Sequence, residues 1–451
     1  MSTIRKNKKR ITDLIIKVKK KDFSGNTGIA VRNSIYQTMN NVVAKIGSLI
    51  FTILIARLLL PELFGLYSLA LSTVLVFSAV SSLGIGETLI TFVSRELSKN
   101  NQRKAKAYTI YFGKLKFVLV LLSMSVLLLS ARFLSNVYYQ KPLFLALIAG
   151  SLYILSFETV TFLGFLFQAS NSFKRIFEKE IIFQVFRSIF IPIIIFFSIK
   201  YSLSDEKVLF YIILLLSVSY LFTALFMMFI SKKEFLFLHS KKQNLTQKEK
   251  KAANKFLSVT AVLFFSGMFF SYIDKIMLGR FVAAEFIGYY SLSMGLMGSL
   301  SSLVGFGSVL LPVFSRMKGE QLEGGLKKSI KVTLLMGTAL FVGTLLFANF
   351  IPILFGTAYT QSVNLLRFFS IIMVPLPLIG IYASYFMSKG NPWIVAKFLI
   401  ISTVINVILN YSLITYLIRY GNLAAVYGAG IAAIVSQFFY LFGLVFSKPK
   451  D

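Results

Sequence analysis

The chain has 451 residues, 56% of them hydrophobic and 14% charged, with a mean hydropathy of +0.76. Soluble domains carry about 25% charged residues, so most of this chain must face lipid or other apolar helices. The formal net charge of +31 would suggest nucleic acid in a soluble protein. Here the basic residues lie between apolar runs, as in the cytoplasmic loops of membrane proteins, and no nucleic-acid partner is expected. The sequence has no cysteine, which excludes disulfides, thiol catalysis and cysteine metal sites. Its only histidine, His239, sits in a basic polar loop.

Residues 1–33 are basic and polar and are expected to form a cytoplasmic tail against anionic membrane lipids. Twelve apolar segments follow, at 34–60, 63–92, 114–134, 143–169, 177–199, 207–231, 256–279, 286–314, 327–352, 361–388, 393–417 and 424–446. Each is long enough to cross a bilayer, which needs about 20 apolar residues. The expected fold is therefore all-α: a polytopic membrane protein of about twelve transmembrane helices. The polar stretch 232–255 divides it into six-helix bundles at 34–231 and 256–446, and 447–451 form a short tail.

Charge bias supports this count. With the N-terminus inside, and charges near segment ends counted with the adjoining loops, 37 basic residues fall in inward loops and tails and 8 in outward ones; Lys45, Arg187 and Arg367 lie deeper within segments, completing the total of 48. Basic loops stay cytoplasmic. Both termini are thus expected inside, in the cell membrane, with an even number of spans.

The halves also repeat each other. ARLLLPELFGLYSL from Ala56 corresponds to GRFVAAEFIGYYSL from Gly279. Arg57, Glu62, Gly65, Tyr67 and Ser68 match Arg280, Glu285, Gly288, Tyr290 and Ser291 at a constant offset of 223 residues. Six segments separate the copies, so both run the same way through the membrane. A parallel repeat of this kind is the architecture of carriers that rock two bundles about a central cavity.

The same residues carry a family resemblance. Asp274-Lys275-Ile276-Met277-Leu278-Gly279-Arg280 followed by Gly288-Tyr289-Tyr290-Ser291, together with the matching run from Ala56 and Leu83-Gly84-Ile85-Gly86, resemble the signatures of the polysaccharide-biosynthesis flippases. These belong to the multidrug/oligosaccharidyl-lipid/polysaccharide exporter superfamily. The resemblance implies alternating-access exchange of a polyprenyl-phosphate-linked oligosaccharide between leaflets. The head group would pass through a polar cavity while the lipid tail stays in the bilayer. It implies as partners the lipid-linked saccharide, membrane lipids, and the glycosyltransferases or polymerase of the same pathway.

Charge at membrane depth is costly and marks candidate sites. Lys45, Glu158 and Arg187 fall near the middle of their segments; Asp274, Lys275 and Arg367 lie nearer the outer ends; Asn406 is an uncharged polar residue at depth. We take these seven as candidate substrate contacts, with Lys45 as the leading phosphate contact because no partner is near it in sequence. Glu158 and Arg187, on consecutive antiparallel segments, can alternatively neutralise each other. Arg57 and Arg280 each precede a glutamate by five residues and are expected to pair within the turn.

An exporter of cationic drugs, coupled to a proton or sodium gradient, is the competing reading; it calls for uncompensated acid in the cavity. An enzyme would need a substantial outward loop with catalytic groups, and none is present. No ATP-binding loop or cofactor motif occurs, so no cofactor is expected.

Overall fold

Proline at 61 sets the first feature of the fold. It has no N–H to donate and restricts the residue before it. In the computed structural model, which describes residues 25–241, 243–304 and 307–448, the first long helix, α1 (Gly25–Ser82), breaks at Leu60, with φ 57° and ψ 172°. Its first arm, 25–59, holds the first expected segment; the second expected segment, 63–92, begins in the arm 61–82 and is interrupted before it ends. Gly84 then adopts a left-handed conformation, with φ 67°, and separates α1 from α2 (Ile85–Ser98).

The first half continues with α3 (Gln102–Phe133), extended by a π-helical turn at Leu134–Tyr139, then α4 (Phe144–Ala169), α5 (Phe173–Lys200) and α6 (Asp205–Glu234). A short turn at Leu236–His239 leads to α7 (Gln247–Phe281). The start of α7 is fixed by a capping box in which Thr246 and Glu249 satisfy each other's backbone donors. The helix therefore begins inside the polar stretch, before its apolar run. Next come α8 (Ala284–Val304), α9 (Gly307–Phe314) and α10 (Glu320–Phe347), the last followed by the short α11 (Ile351–Phe355). α12 (Gln361–Phe369) and α13 (Pro375–Ser388) together form the tenth segment; α14 (Pro392–Leu417) and α15 (Asn422–Phe446) complete the chain.

Among the described residues there is no strand, and ten helical stretches are long and apolar enough to cross a membrane. The first of these, Val31–Ser98, contains the break at Leu60 and so supplies two segments. α8 and α9 occupy the position of the eighth. Many apolar side chains face outward, such as Leu129 at 85% and Phe446 at 83% exposure, as a lipid-facing surface requires. The expected tail at 1–33 lies outside the described residues up to 24; α1 takes up the remainder.

The two ends of the bundle differ. We call the end holding the break at Leu60 and the α7–α8 connection the turn end, and the opposite one, holding residues 235–241 and 243–246, the linker end. At the turn end a single apolar cluster runs through both halves, including Ile55, Leu69 and Ile213 from the first and Ile287, Tyr359 and Ile414 from the second. Toward the linker end the core splits in two. One cluster, with Leu89, Phe112 and Phe167, draws on the first half and the linker; the other, with Leu326, Tyr385 and Leu444, draws on the second half alone. The halves are fused at one end and separately packed at the other.

Candidate functional site

Cutting into the first half, between the first arm of α1 and α4, α5 and α6, is a cavity of about 380 Å³. Its polar wall includes Gln37, Ser48, Gln168, Gln184, Lys179 and Glu180, and Arg187 lies among them. The Arg187 guanidinium is held on several sides. Nε donates to Gln184 Oε1 at 2.9 Å and Nη2 to Ser48 Oγ at 2.9 Å. The Phe51 and Phe183 ring centroids lie 4.3 and 4.9 Å from its Cζ, within reach of cation–π attraction. Gln184 is fixed in turn: its Nε2 donates to Glu180 Oε1 at 2.6 Å and to the Ala44 carbonyl at 3.4 Å. Glu180 also pairs with Lys179 at 2.9 Å. With Glu180 engaged by Lys179, Arg187 has no carboxylate partner among the described residues. Lys179, Glu180 and Arg187 leave the cavity with one positive charge in excess, on a side chain oriented by a neutral amide.

Glu158 does not pair with Arg187. It lies on a second, adjoining cavity of about 200 Å³ and forms a buried ion pair with Lys116 of α3. Its Oε1 also accepts from Ser78, and both of its carboxylate oxygens accept from Ser82 at 2.9 Å. Two residues explain the misassignment. α3 begins at Gln102 and carries Lys116 well past its polar first turns, where Lys116 is only 7% exposed. In sequence Lys116 looks like a flanking loop charge, because the uninterrupted apolar run starts just after it.

The other candidates lie elsewhere. Lys45 is half-buried and donates to the Ser302 carbonyl at 2.9 Å; it bridges to the last turn of α8 in the opposite half and is not part of the Arg187 wall. A cation is well matched to the carbonyl end of a helix. Asp274 is buried and accepts from Tyr290 Oη at 2.8 Å and Asn410 Nδ2 at 2.6 Å, joining α7, α8 and α14. Asn406 is buried in the same region. Lys275 places its Nζ 5.8 Å from the Tyr272 ring centroid. Arg367 donates to Asn349 at 3.1 Å near the turn end. Asp274, Lys275 and Asn406 thus lie in one region and the other four apart from it, and of the seven only Arg187 lines the 380 Å³ cavity. Residues the sequence reading did not single out, Gln184, Ser48 and Phe51, do the positioning; a glutamine four residues after Glu180 and three before Arg187 shares one helix face with both and was a readable signal.

Arg57 and Arg280 do not pair with Glu62 and Glu285. Each donates instead to backbone carbonyls of the opposite half.

A helical membrane protein whose core spans both halves at one end and divides at the other, with a charged polar cavity in the first half, has the fold of a two-bundle transporter. Residues 30–318 match the model of the polysaccharide biosynthesis protein family, and the chain belongs to that family. Among solved structures it is similar to an inward-facing multidrug-resistance MATE transporter of the MOP superfamily, at 15% identity and TM-score 0.65 over 90% of this chain and 96% of that one. It is also similar to the lipid II flippase MurJ in an inward closed conformation, at 14% identity and TM-score 0.63 over 91% and 87%. A third, a MOP-superfamily transporter from Pyrococcus furiosus described as having a reversed binding-pocket polarity, matches at 14% identity and TM-score 0.57 over 92% and 94%. No curated protein matches this chain.

Proposed function

We propose that this protein flips a polyprenyl-phosphate-linked oligosaccharide across the cytoplasmic membrane by alternating access, for the assembly of a cell-surface glycan. The linker end and both termini face the cytoplasm on this reading. The observation that carries it is Arg187: a cation held on the wall of a polar cavity, with no carboxylate partner among the described residues. A fixed positive charge offsets part of the desolvation of a phosphate crossing a low-dielectric region. The amides of Gln37, Gln168 and Gln184 and the ring of Tyr220 beside it are the groups that sugar hydroxyls and sugar faces use.

The family membership supports this reading over a cationic-drug exporter, and so does the fate of the acids. Glu180 is engaged by Lys179 and Gln184, and Glu158 by Lys116. Neither is left to attract a cation. Purified protein in liposomes should move a fluorescent polyprenyl-pyrophosphate oligosaccharide between leaflets and leave a cationic dye gradient untouched. Dye transport without movement of the lipid-linked saccharide would reverse the assignment.

A further inference from the structure

The repeated turn forms a set of contacts that neither copy could make alone. Arg57 Nε donates to the Leu354 carbonyl at 2.6 Å, and its Nη2 donates to that of Ile353. Its repeat mate Arg280 donates from Nη1 to the Val137 and Tyr138 carbonyls, both at 2.8 Å. The residue before each arginine accepts in return: the Ala56 carbonyl from Tyr359 Oη at 3.1 Å, and the Gly279 carbonyl from Lys141 Nζ at 2.7 Å. Every one of these bonds crosses between the halves.

The acceptors are equivalent too. Val137 and Tyr138 belong to the π-helical turn that ends the third segment, and Ile353 and Leu354 to α11, which ends the ninth. The carbonyl end of a helix carries partial negative charge and favours a cation. The glycines of the repeat complete the symmetry: a Cβ at Gly65 would collide with the Ala284 carbonyl, and one at Gly288 with the Pro61 carbonyl. Each half thus presents the same surface to the other, as the subunits of a symmetric dimer do.

We propose that this reciprocal set is the gate at the turn end: Arg57 and Arg280 latch the two halves together, and both must release before the cavity can open there. This rests on the alternating-access reading above. Two features distinguish a latch from permanent packing. Both arginines are exposed at the rim, so letting go returns each guanidinium to water or lipid head groups and strands no buried charge. The partners are main-chain carbonyls, which water can also satisfy. The buried Lys116–Glu158 pair has neither property and stays closed. The location agrees, since the turn end is where one apolar cluster spans both halves.

The experiment uses the absence of native cysteine. Ser202 and Tyr420 are exposed on turn-end loops of opposite halves, so Ser202→Cys and Tyr420→Cys allow spin labels to report the turn-end distance by pulsed electron resonance. In otherwise wild-type protein a short distance should dominate. Arg57→Gln and Arg280→Gln should each raise the open-to-closed ratio by about tenfold, and by similar factors because the sites are equivalent. The double variant should raise it by about a hundredfold if the two latches act independently. Arg57→Lys and Arg280→Lys, which keep the charge and lose the fork, should fall between. The proposal is overturned if folded variants, lysine or glutamine, keep the wild-type distance distribution, or if thermal stability drops with no longer distance appearing. The readout needs no substrate. A shifted distribution in a protein that does not move the saccharide would keep the latch and discard the substrate reading.

Discussion

The Lys116–Glu158 pair gives a stability prediction whose size follows from its surroundings. Both side chains are almost fully buried, at 8% and 0% exposure, and the serine hydroxyls of Ser78 and Ser82 complete the coordination of the carboxylate. Lys116→Met leaves the carboxylate with those donors alone; Glu158→Gln leaves the ammonium unpaired. Breaking one side of a buried pair costs about 3–5 kcal/mol. The double variant removes both charges together, and should lie within about 1.5 kcal/mol of wild type, because replacing a whole buried pair by uncharged groups of similar volume leaves no stranded charge and is often close to neutral. Thermal midpoints of the four proteins in one mild detergent should therefore show two strongly lowered singles and a double restored above both. A double variant no more stable than the worse single, or singles indistinguishable from wild type, would refute the reasoning. Exchanging Glu158 and Arg187 should bring no such rescue, since the two do not touch.

Gln184→Ala should leave the fold intact and slow transport by about tenfold, because it frees Arg187 from its Nε anchor; the effect should appear in the maximal rate of saccharide flipping, and an unchanged rate would remove Gln184 from a positioning role. Asp274→Ala should lower the thermal midpoint, because it strands the Tyr290 hydroxyl at a cost of about 1–3 kcal/mol and leaves Asn410 Nδ2 only its bond to the Asn406 carbonyl, and Tyr290→Phe should lower it less. Cysteines at Gln140 or Ser204 should react with an impermeant thiol reagent applied to intact cells, and cysteines at Asn100 or Asn244 should not; labelling from outside at 244 would invert the proposed orientation.

The helical segments were legible because membrane crossing demands long apolar runs, and an internal repeat carrying arginine, glutamate, glycine and tyrosine in register stands out against leucine-rich background. What bonds to the repeat was not legible. Arg57, Arg280 and Lys45 all donate to backbone carbonyls, and a carbonyl leaves no mark in the side-chain sequence. The nearby glutamates therefore looked like the partners. Lys116 was hidden for a different reason. Hydropathy finds where an apolar run begins, whereas α3 begins earlier, at Gln102, on polar turns; at 1.5 Å per residue, those turns carry the lysine deep enough to meet Glu158. Arg187 was legible as a charge inside an apolar segment. Its lack of a carboxylate partner follows from Glu158 being taken by a residue assigned to a loop.

The central claim is that an anionic, lipid-linked head group crosses against Arg187. Its most direct measurement is the initial flipping rate of a fluorescent polyprenyl-pyrophosphate oligosaccharide in liposomes holding equal amounts of wild-type and Arg187→Gln protein. A charge-assisted contact of about 1.5–3 kcal/mol predicts a rate about 10- to 150-fold lower for the variant, with the thermal midpoint nearly unchanged and part of the rate recovered by Arg187→Lys. Wild-type flipping by a folded Arg187→Gln protein would contradict the account.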